Sequence, residues 1–236
     1  CWSQSIYGSM PPRDLLGRGK AAAVKALELD ETLAEGHAML GLFRAVLDFD
    51  WRGAEREFRR AFELDPGSAI SRNRYAVYFL QALKRHEEAV TEMNRVLESD
   101  PLSVYYQYHL ALVLTHARQY DRAIEICRNA LALDPNAWLP QFGLGRAYVR
   151  KQMYHEAVQA LEKAIQLSGN QPPVAAVLAA SYAHSGRRSE AQKLLGQWED
   201  AGRTRYGSPY LTATVRLALG GKDRTLELLA KSVEDR

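Results

Sequence analysis

Residues 120–135 read YDRAIEICRNALALDP, and this stretch contains the pattern that repeats along the chain. Its small residue Ala123 recurs at a nearly constant distance, with a first step of 35 residues and later steps of 34 residues. The positions of this small-residue ladder are Ala54, Ala89, Ala123, Ala157, Ala191 and Thr225. Self-similarity at a fixed period of this length predicts a stack of equivalent supersecondary units.

Each unit contains the spacing of an α-helix. Four residues after each ladder position stands a larger, mostly apolar residue, and a further residue of the same stripe follows after seven. A second ladder of short side chains precedes the first by twelve residues, at Val77, Ala111, Gly145, Ala179 and Ala213, with Gly41 one residue out of step. Short side chains at both positions predict two antiparallel helices that approach each other closely.

Proline marks several of the helix ends. Pro66, Pro101 and Pro135 each follow a repeated phrase of the type Ala-Leu-x-Leu-Asp, and proline disfavours helix in the residue before it. Gly186 and Gly220 are expected where the backbone reverses between the helices. The predicted helix pairs are 34–48 with 51–64, 70–83 with 86–99, 104–117 with 120–133, 138–151 with 154–168, 172–185 with 188–201, and 207–219 with 222–235. Residues 13–29 are predicted to be the second helix of a truncated repeat.

These ladders resemble the tetratricopeptide repeat (TPR), and the resemblance covers nearly the whole chain. It implies an all-α fold, a right-handed α-solenoid of helix-turn-helix hairpins. The predicted division is a single array over 1–236, with a truncated repeat at 1–33, full repeats at 34–69, 70–103, 104–137, 138–171 and 172–205, and a terminal repeat at 206–236. Thr225 and Ser232 depart from the small apolar pattern, so the last repeat is expected to be loosely packed or to cap the stack.

Two further segments resemble a narrower group. Residues 49–51 (FDW) followed by 54–58 (AEREF), and residues 205–210 (RYGSPY), look like the C-terminal TPR arrays of large bacterial regulators. In such proteins the array follows a winged-helix DNA-binding domain, a serine/threonine kinase domain or a nucleotide cyclase domain. The resemblance implies a regulatory or scaffolding part of a larger bacterial protein.

In a TPR array the first helices of successive repeats line the concave face, so the resemblance places the candidate binding residues there. The residues expected to bind a partner are Arg74, Tyr78, Tyr105, Tyr108, His116, Phe142, Arg146 and Arg150. Further residues expected on this face are Ser71, Gln81, Leu112, Thr115, Leu139, Val149, Ala176, Ala180 and His184. Aromatic residues and arginines are enriched among interface hot spots. The arginines favour a protein or peptide partner that is acidic or that offers a C-terminal carboxylate.

A structural interpretation of the same aromatic residues stays open. Tyr78, Tyr105 and Phe142 could equally fill the spaces between adjacent hairpins. TPR domains that clamp the C-termini of chaperones place lysine and asparagine at certain positions of the concave face. At those positions this chain has Arg74 with Tyr78, Tyr108 with Leu112, and Phe142 with Arg146. A chaperone clamp is therefore disfavoured.

Composition excludes several classes of function. The 236 residues carry 31 basic and 28 acidic side chains without a basic block, which argues against nucleic-acid binding. No apolar stretch approaches a membrane span, and no signal peptide is evident. Two cysteines, Cys1 and Cys127, give no disulfide framework and favour a reducing, cytoplasmic location. Cys1 in place of Met indicates either a boundary of the sequence or the processed N-terminus of a lipoprotein.

No catalytic motif is present, so the chain is not expected to be an enzyme and no cofactor is expected. His109 and His116 stand seven apart on one predicted helix, but no acidic residue or cysteine between them completes a metal site. Gly143 and Gly145 are explained by close helix packing. Two alternatives to partner binding remain: self-association through apolar end helices such as Leu226, Leu228 and Leu229, or a non-catalytic portion of a larger kinase, cyclase or transcription regulator.

Overall fold

The structure is a computed structural model that describes residues 12–201 and 208–234. Thirteen helices and no strands are found in those residues. They are α1 (Pro12–Leu29), α2 (Ala34–Phe43), α3 (Trp51–Leu64), α4 (Ala69–Arg74), α5 (His86–Ser99), α6 (Val104–His116), α7 (Tyr120–Leu133), α8 (Trp138–Arg150), α9 (Tyr154–Ser168), α10 (Pro172–His184), α11 (Arg188–Ala201), α12 (Pro209–Ala218) and α13 (Lys222–Glu234). These bounds agree with the predicted helices to within a few residues. Cys1 and the first half of the RYGSPY segment, residues 205–207, lie outside the described residues.

Two first helices continue as π-helical turns, α2 through Arg44–Asp48 and α4 through Tyr75–Leu80. In the first full repeat Gly41 stands 13 residues before Ala54, whereas the later repeats have 12, so the sequence has one extra residue between these two positions. The π-helical turn absorbs that residue, and Phe49 then leaves the helix in the left-handed region with φ of 56°. The insertion therefore changes the end of one helix and leaves the small-residue ladder in register.

The small-residue ladder lies in the interior of every hairpin. Its five alanines are fully buried and Thr225 is 4% exposed. The larger residues four positions later, Phe58, Met93, Cys127 and Leu161, are also fully buried. In the last hairpin the equivalent Leu229 is 36% exposed, in keeping with the loosely packed terminal repeat that the sequence predicts.

Glycine permits the closest helix contact. A Cβ atom built on Gly145 of α8 would lie 2.6 Å from Cδ2 of the fully buried Leu161 on α9. Such a distance is well inside van der Waals contact, so the Leu161 side chain or one of the two helices would have to shift. The sequence interpretation of Gly145 as a packing residue is consistent with this geometry.

The turn between the two helices of each hairpin uses one left-handed residue at a fixed place. It stands five residues before each position of the small-residue ladder, at Phe49, Lys84, Arg118, Gln152, Gly186 and Gly220. Only the last two are glycine, the residue that adopts this conformation without a steric cost. The other turns are held in place by the packing of the helices that they join.

The contacts between helices define two sides of the stack. Each first helix packs against the second helix of its own hairpin, and α6, α8, α10 and α12 also contact one another in sequence. In the described residues, successive second helices make no comparable contact. The first helices are therefore closer together and form the inner side of the array, while the second helices form the outer side.

The close contact at Gly145 generates a stability prediction. Gly145→Ala should lower the free energy of unfolding by roughly 1 to 3 kcal/mol, because the added methyl group overpacks the contact with Leu161. Gly196→Ala is the matched control, since Gly196 also lies within a helix but its Cβ would have nothing within 4 Å. That variant should be stabilised by up to about 1 kcal/mol from helix propensity. Urea unfolding of both variants checks the prediction, and a stabilised Gly145→Ala would contradict the packing described here.

Candidate functional site

The candidate binding residues lie on α4 and the π-helical turn that follows it, on α6 and on α8, and they show three levels of exposure. Arg74, Tyr78, His116 and Arg146 are half-buried, whereas Tyr105 and Arg150 are exposed. Tyr108 and Phe142 are buried, at 4% and 2% exposed. Of the further predicted residues, Ser71, Thr115 and Ala176 are buried, Gln81, Leu112, Leu139, Val149 and Ala180 are partly buried, and His184 is exposed.

The prediction that Tyr108 and Phe142 present a binding surface is corrected by their burial. Their rings stack with centroids 6.4 Å apart, and both belong to the main hydrophobic core. They fill the space between α6 and α8, which is the structural interpretation that the sequence left open for Phe142. Phe142 still supports the inner surface from below, because the Arg146 guanidinium lies 5.6 Å from the centre of its ring.

Arg74 lies among tyrosines contributed by two helices. Burial lowers the pKa of its guanidinium, and this effect is opposed by Glu35, Tyr105, Tyr106 and Tyr78. Its Nη1 is buried and has no hydrogen-bond partner among the described residues. Glu35, the acidic residue of this group, is not within ion-pair distance of Arg74. The Arg74 guanidinium therefore has a buried N–H group that no acceptor in the described residues uses.

A second polar group joins three successive hairpins. The side-chain oxygen Oε1 of Gln81, which follows α4, lies 3.0 Å from Nδ1 of His86 and 2.8 Å from Nδ1 of His116. On the other side of the imidazole, Nε2 of His116 lies 3.4 Å from Nη2 of Arg146. The chain of contacts therefore runs from Gln81 through His116 to Arg146.

The proton positions in this group follow from Arg146. Arginine has donors and no acceptor, so Nε2 of His116 must be the acceptor of their hydrogen bond. The proton of the neutral imidazole is then on Nδ1, and Gln81 must present its oxygen to that N–H. The amide nitrogen of Gln81 is buried without a partner in the described part of the chain.

His116 is neutral at pH 7 for two reasons. Burial and the nearby charges of Arg146, His86 and Arg150 lower its pKa from 6.5 to about 4. Burial alone lowers the pKa of His109 on the same helix to about 4 as well, and Nδ1 of His109 lies 2.7 Å from Nδ2 of Asn73. The positive charge of the inner side at neutral pH therefore comes from its arginines.

The arginines of the inner side differ from other arginines of similar burial. Seven arginines in residues 12–201 and 208–234 are partly buried. Five of them have a carboxylate within 4.0 Å, namely Arg44, Arg72, Arg85, Arg187 and Arg216. The two that have none within the described residues are Arg74 and Arg146. Since a partly desolvated positive charge without a nearby negative charge is costly, two such cations on one surface indicate a site for an anionic group.

Three residues that contribute to this surface are not predicted from the sequence. Glu35, His86 and Tyr106 were not among the predicted residues, and His86 begins a second helix. Gln81 and His116 are 35 residues apart, which is close to the length of one repeat. This spacing is the feature of the sequence that could have indicated the contact between them. In the described part of the chain, no three His, Cys, Asp or Glu side chains are grouped as a metal site requires, and His109 and His116 have separate partners.

Comparison with protein-family models gives two matches to the tetratricopeptide repeat. One model matches residues 50–103 and 82–138, and another matches residues 149–208. No curated protein sequence matches the chain. None of the helices in the described residues combines the length and the apolar character that crossing a membrane requires.

Several solved structures share the fold. PilW, a type IV pilus biogenesis factor, is 16% identical with a TM-score of 0.64, and the match covers 91% of this chain and 90% of PilW. A thermophilic TPR protein of Thermus thermophilus, TTC0263, is 23% identical with a TM-score of 0.60, covering 71% of this chain and 91% of that protein. The human IFIT1 dimer with m7Gppp-AAAA is 17% identical with a TM-score of 0.71, covering 93% of this chain and 55% of IFIT1. At these identities the similarity establishes the helical repeat architecture.

The lowered pKa values generate a prediction for stability against pH. Between pH 6.5 and about 4 the unfolded chain binds protons at His109 and His116 that the folded chain does not, so the free energy of unfolding should fall as the pH falls through this range. His116→Gln should remove the part of this loss that belongs to His116. Urea unfolding at about pH 7 and about pH 5 checks it. An identical loss in the wild type and the variant would show that His116 is protonated normally in the folded state.

Proposed function

We propose that this chain, which belongs to the tetratricopeptide repeat family, is a protein-binding scaffold whose inner surface binds an acidic segment of a partner. The inner surface consists of the exposed and half-buried residues Arg74, Tyr78, Tyr105, Gln81, His116, Arg146 and Arg150. The observation that carries the proposal is the absence of a carboxylate partner for Arg74 and Arg146 within the described residues, although the other partly buried arginines there have one. Arg150 adds an exposed positive charge to the same helix as Arg146.

The tyrosines of the inner surface support binding of a peptide rather than a free ion. Tyr105 is 49% exposed, and burial raises the pKa of its hydroxyl group, so it stays a neutral hydrogen-bonding group at neutral pH. Tyrosine supplies a large contact area at a low cost in side-chain entropy. A segment with an acidic residue near Arg74 would pack its other atoms against Tyr78 and Tyr105.

The wider biological role is proposed from resemblance. The FDW and AEREF segments support an array that belongs to a larger bacterial regulator, in which the scaffold has a binding role and catalysis belongs to other parts. PilW is a pilus biogenesis factor with the same architecture, and its role does not transfer at this identity. A cytoplasmic location remains part of the proposal.

Charge reversal on the two sides of the array tests the proposal. The inner-side variant carries Arg74→Glu, Arg146→Glu and Arg150→Glu, and the outer-side control carries Arg52→Glu, Arg122→Glu and Lys163→Glu on second helices. Both variants change the net charge equally, and all three control residues are exposed. The inner-side variant should bind acidic peptides at least tenfold more weakly, about 1.4 kcal/mol, whereas the control should bind like the wild type.

The measurement is fluorescence anisotropy with sets of acidic, neutral and basic peptides of equal length. Binding of acidic peptides to the wild type should weaken as salt is added, because the attraction is electrostatic. Equal losses in the two triple variants would assign the effect to net charge and would rule out a site on the inner surface. A preference of the wild type for basic peptides would also contradict the proposal.

Self-association is a second candidate function, and the last helix favours it. On α13, Leu226 and Val233 are 68% and 64% exposed on one stripe, and Leu229 is partly exposed beside them. A second copy of the chain could cover this stripe. Light scattering over a concentration series should then show a dimer that Leu226→Ser dissociates, and a constant monomer mass would remove this candidate.

A further inference from the structure

The geometry around His116 gives the proposed function a defined subsite, and the inference rests on that function. His116 is held by Gln81 through Nδ1 and presents Nε2 toward Arg146. Arg146 has five N–H donors, and its hydrogen bond to His116 uses one of them. Arg150 lies one helical turn further along the same face of α8. The site thus combines an oriented imidazole with two guanidinium groups.

We propose that Arg146 and His116, with Arg150 beside them, bind one carboxylate group of the partner segment, and that His116 takes up a proton when the carboxylate binds. Gln81 is a positioning residue, because it fixes the imidazole and does not itself need to reach the ligand. His86 completes the group by donating to the same oxygen of Gln81.

Without a bound anion, His116 stays unprotonated for a geometric reason. The charged and titratable groups that face it are Arg146 and Arg150 from α8 and His86 from α5, and Gln81 faces it as a neutral amide. A proton on Nε2 would point at the N–H of Arg146, so two donors would oppose each other. No carboxylate among the described residues lies close enough to separate them.

A bound carboxylate reverses this balance. One of its oxygens can accept from Arg146, and the other can accept from Nε2 once that nitrogen carries a proton. Gln81 keeps accepting from Nδ1 in both states, so the imidazole does not have to turn. The negative charge offsets the repulsion from Arg146 and Arg150, which raises the pKa of His116 in the complex. Binding should therefore become tighter as the pH falls toward the range in which His116 titrates.

The experiment follows the ring protons of the histidines by NMR in the whole chain, titrated between about pH 3 and pH 8 so that midpoints near pH 4 are included. Sulfate and trifluoroacetate are the probes, and chloride at equal ionic strength is the reference. Trifluoroacetate is a carboxylate that stays ionised over this range. His109 is the internal control, because its pKa is similarly lowered, by burial and not by a neighbouring arginine, and its ring is bonded to Asn73.

Both probes should raise the titration midpoint of His116 by about one pH unit or more relative to chloride, and they should leave His109 in place. Arg146→Gln should raise the midpoint in chloride, because a repelling charge is removed, and should abolish the further rise in both probes. Arg150→Gln, at an exposed position, should reduce the rise and serves as a second variant.

Each other outcome overturns a stated part of the proposal. A rise in sulfate alone would mean that the site takes a tetrahedral oxyanion and would reject the carboxylate. Equal behaviour of His116 and His109 in all three salts would reject the subsite. That result would leave the peptide-binding test intact, because the peptide test depends on Arg74 and on the whole inner surface and does not use the protonation of His116.

Discussion

The close approach of two helices at the small-residue ladder is the constraint on which the rest of the structure depends. Five of the six ladder positions are fully buried alanines. On the other helix of one hairpin, Gly145 packs so closely against Leu161 that no room is left for a methyl group. A larger side chain at these points would separate the helices of a hairpin and change the angle between successive hairpins. The ladder therefore sets the geometry of the stack as well as the stability of each hairpin.

This geometry decides which residues can form a site. Because the first helices contact one another, side chains from neighbouring repeats meet on the inner side of the array. Gln81, His116 and Arg146 belong to three successive hairpins, and their hydrogen bonds exist only when those hairpins are stacked. Burial between the hairpins also removes water from Arg74 and Arg146, which strengthens their attraction for an anionic group.

The fold followed from the sequence because its evidence is periodic. Ladder residues such as Ala123 and Leu161 are constrained by one local contact that recurs in every repeat, so their spacing alone predicts the hairpins. The site was predicted only in part. Tyr108 and Phe142 fill the space between α6 and α8. A small rotation of either helix would turn these side chains toward the inner surface, and the sequence pattern does not fix that rotation. The hydrogen bond from His116 to Gln81 depends on how adjacent hairpins stack, which a pattern within one helix does not contain.

The proposed function requires that Arg74 and Arg146, which have no carboxylate partner within the described residues, bind the acidic groups of a partner. The most direct measurement is NMR of the arginine side-chain Nε–H signals while an acidic peptide bound by the wild type is added. The signals of Arg74 and Arg146 should move with the peptide's binding curve, while those of Arg52 and Arg122 on the outer side should stay in place. Movement confined to Arg52 and Arg122, or equal movement of all four signals, would contradict the proposed function.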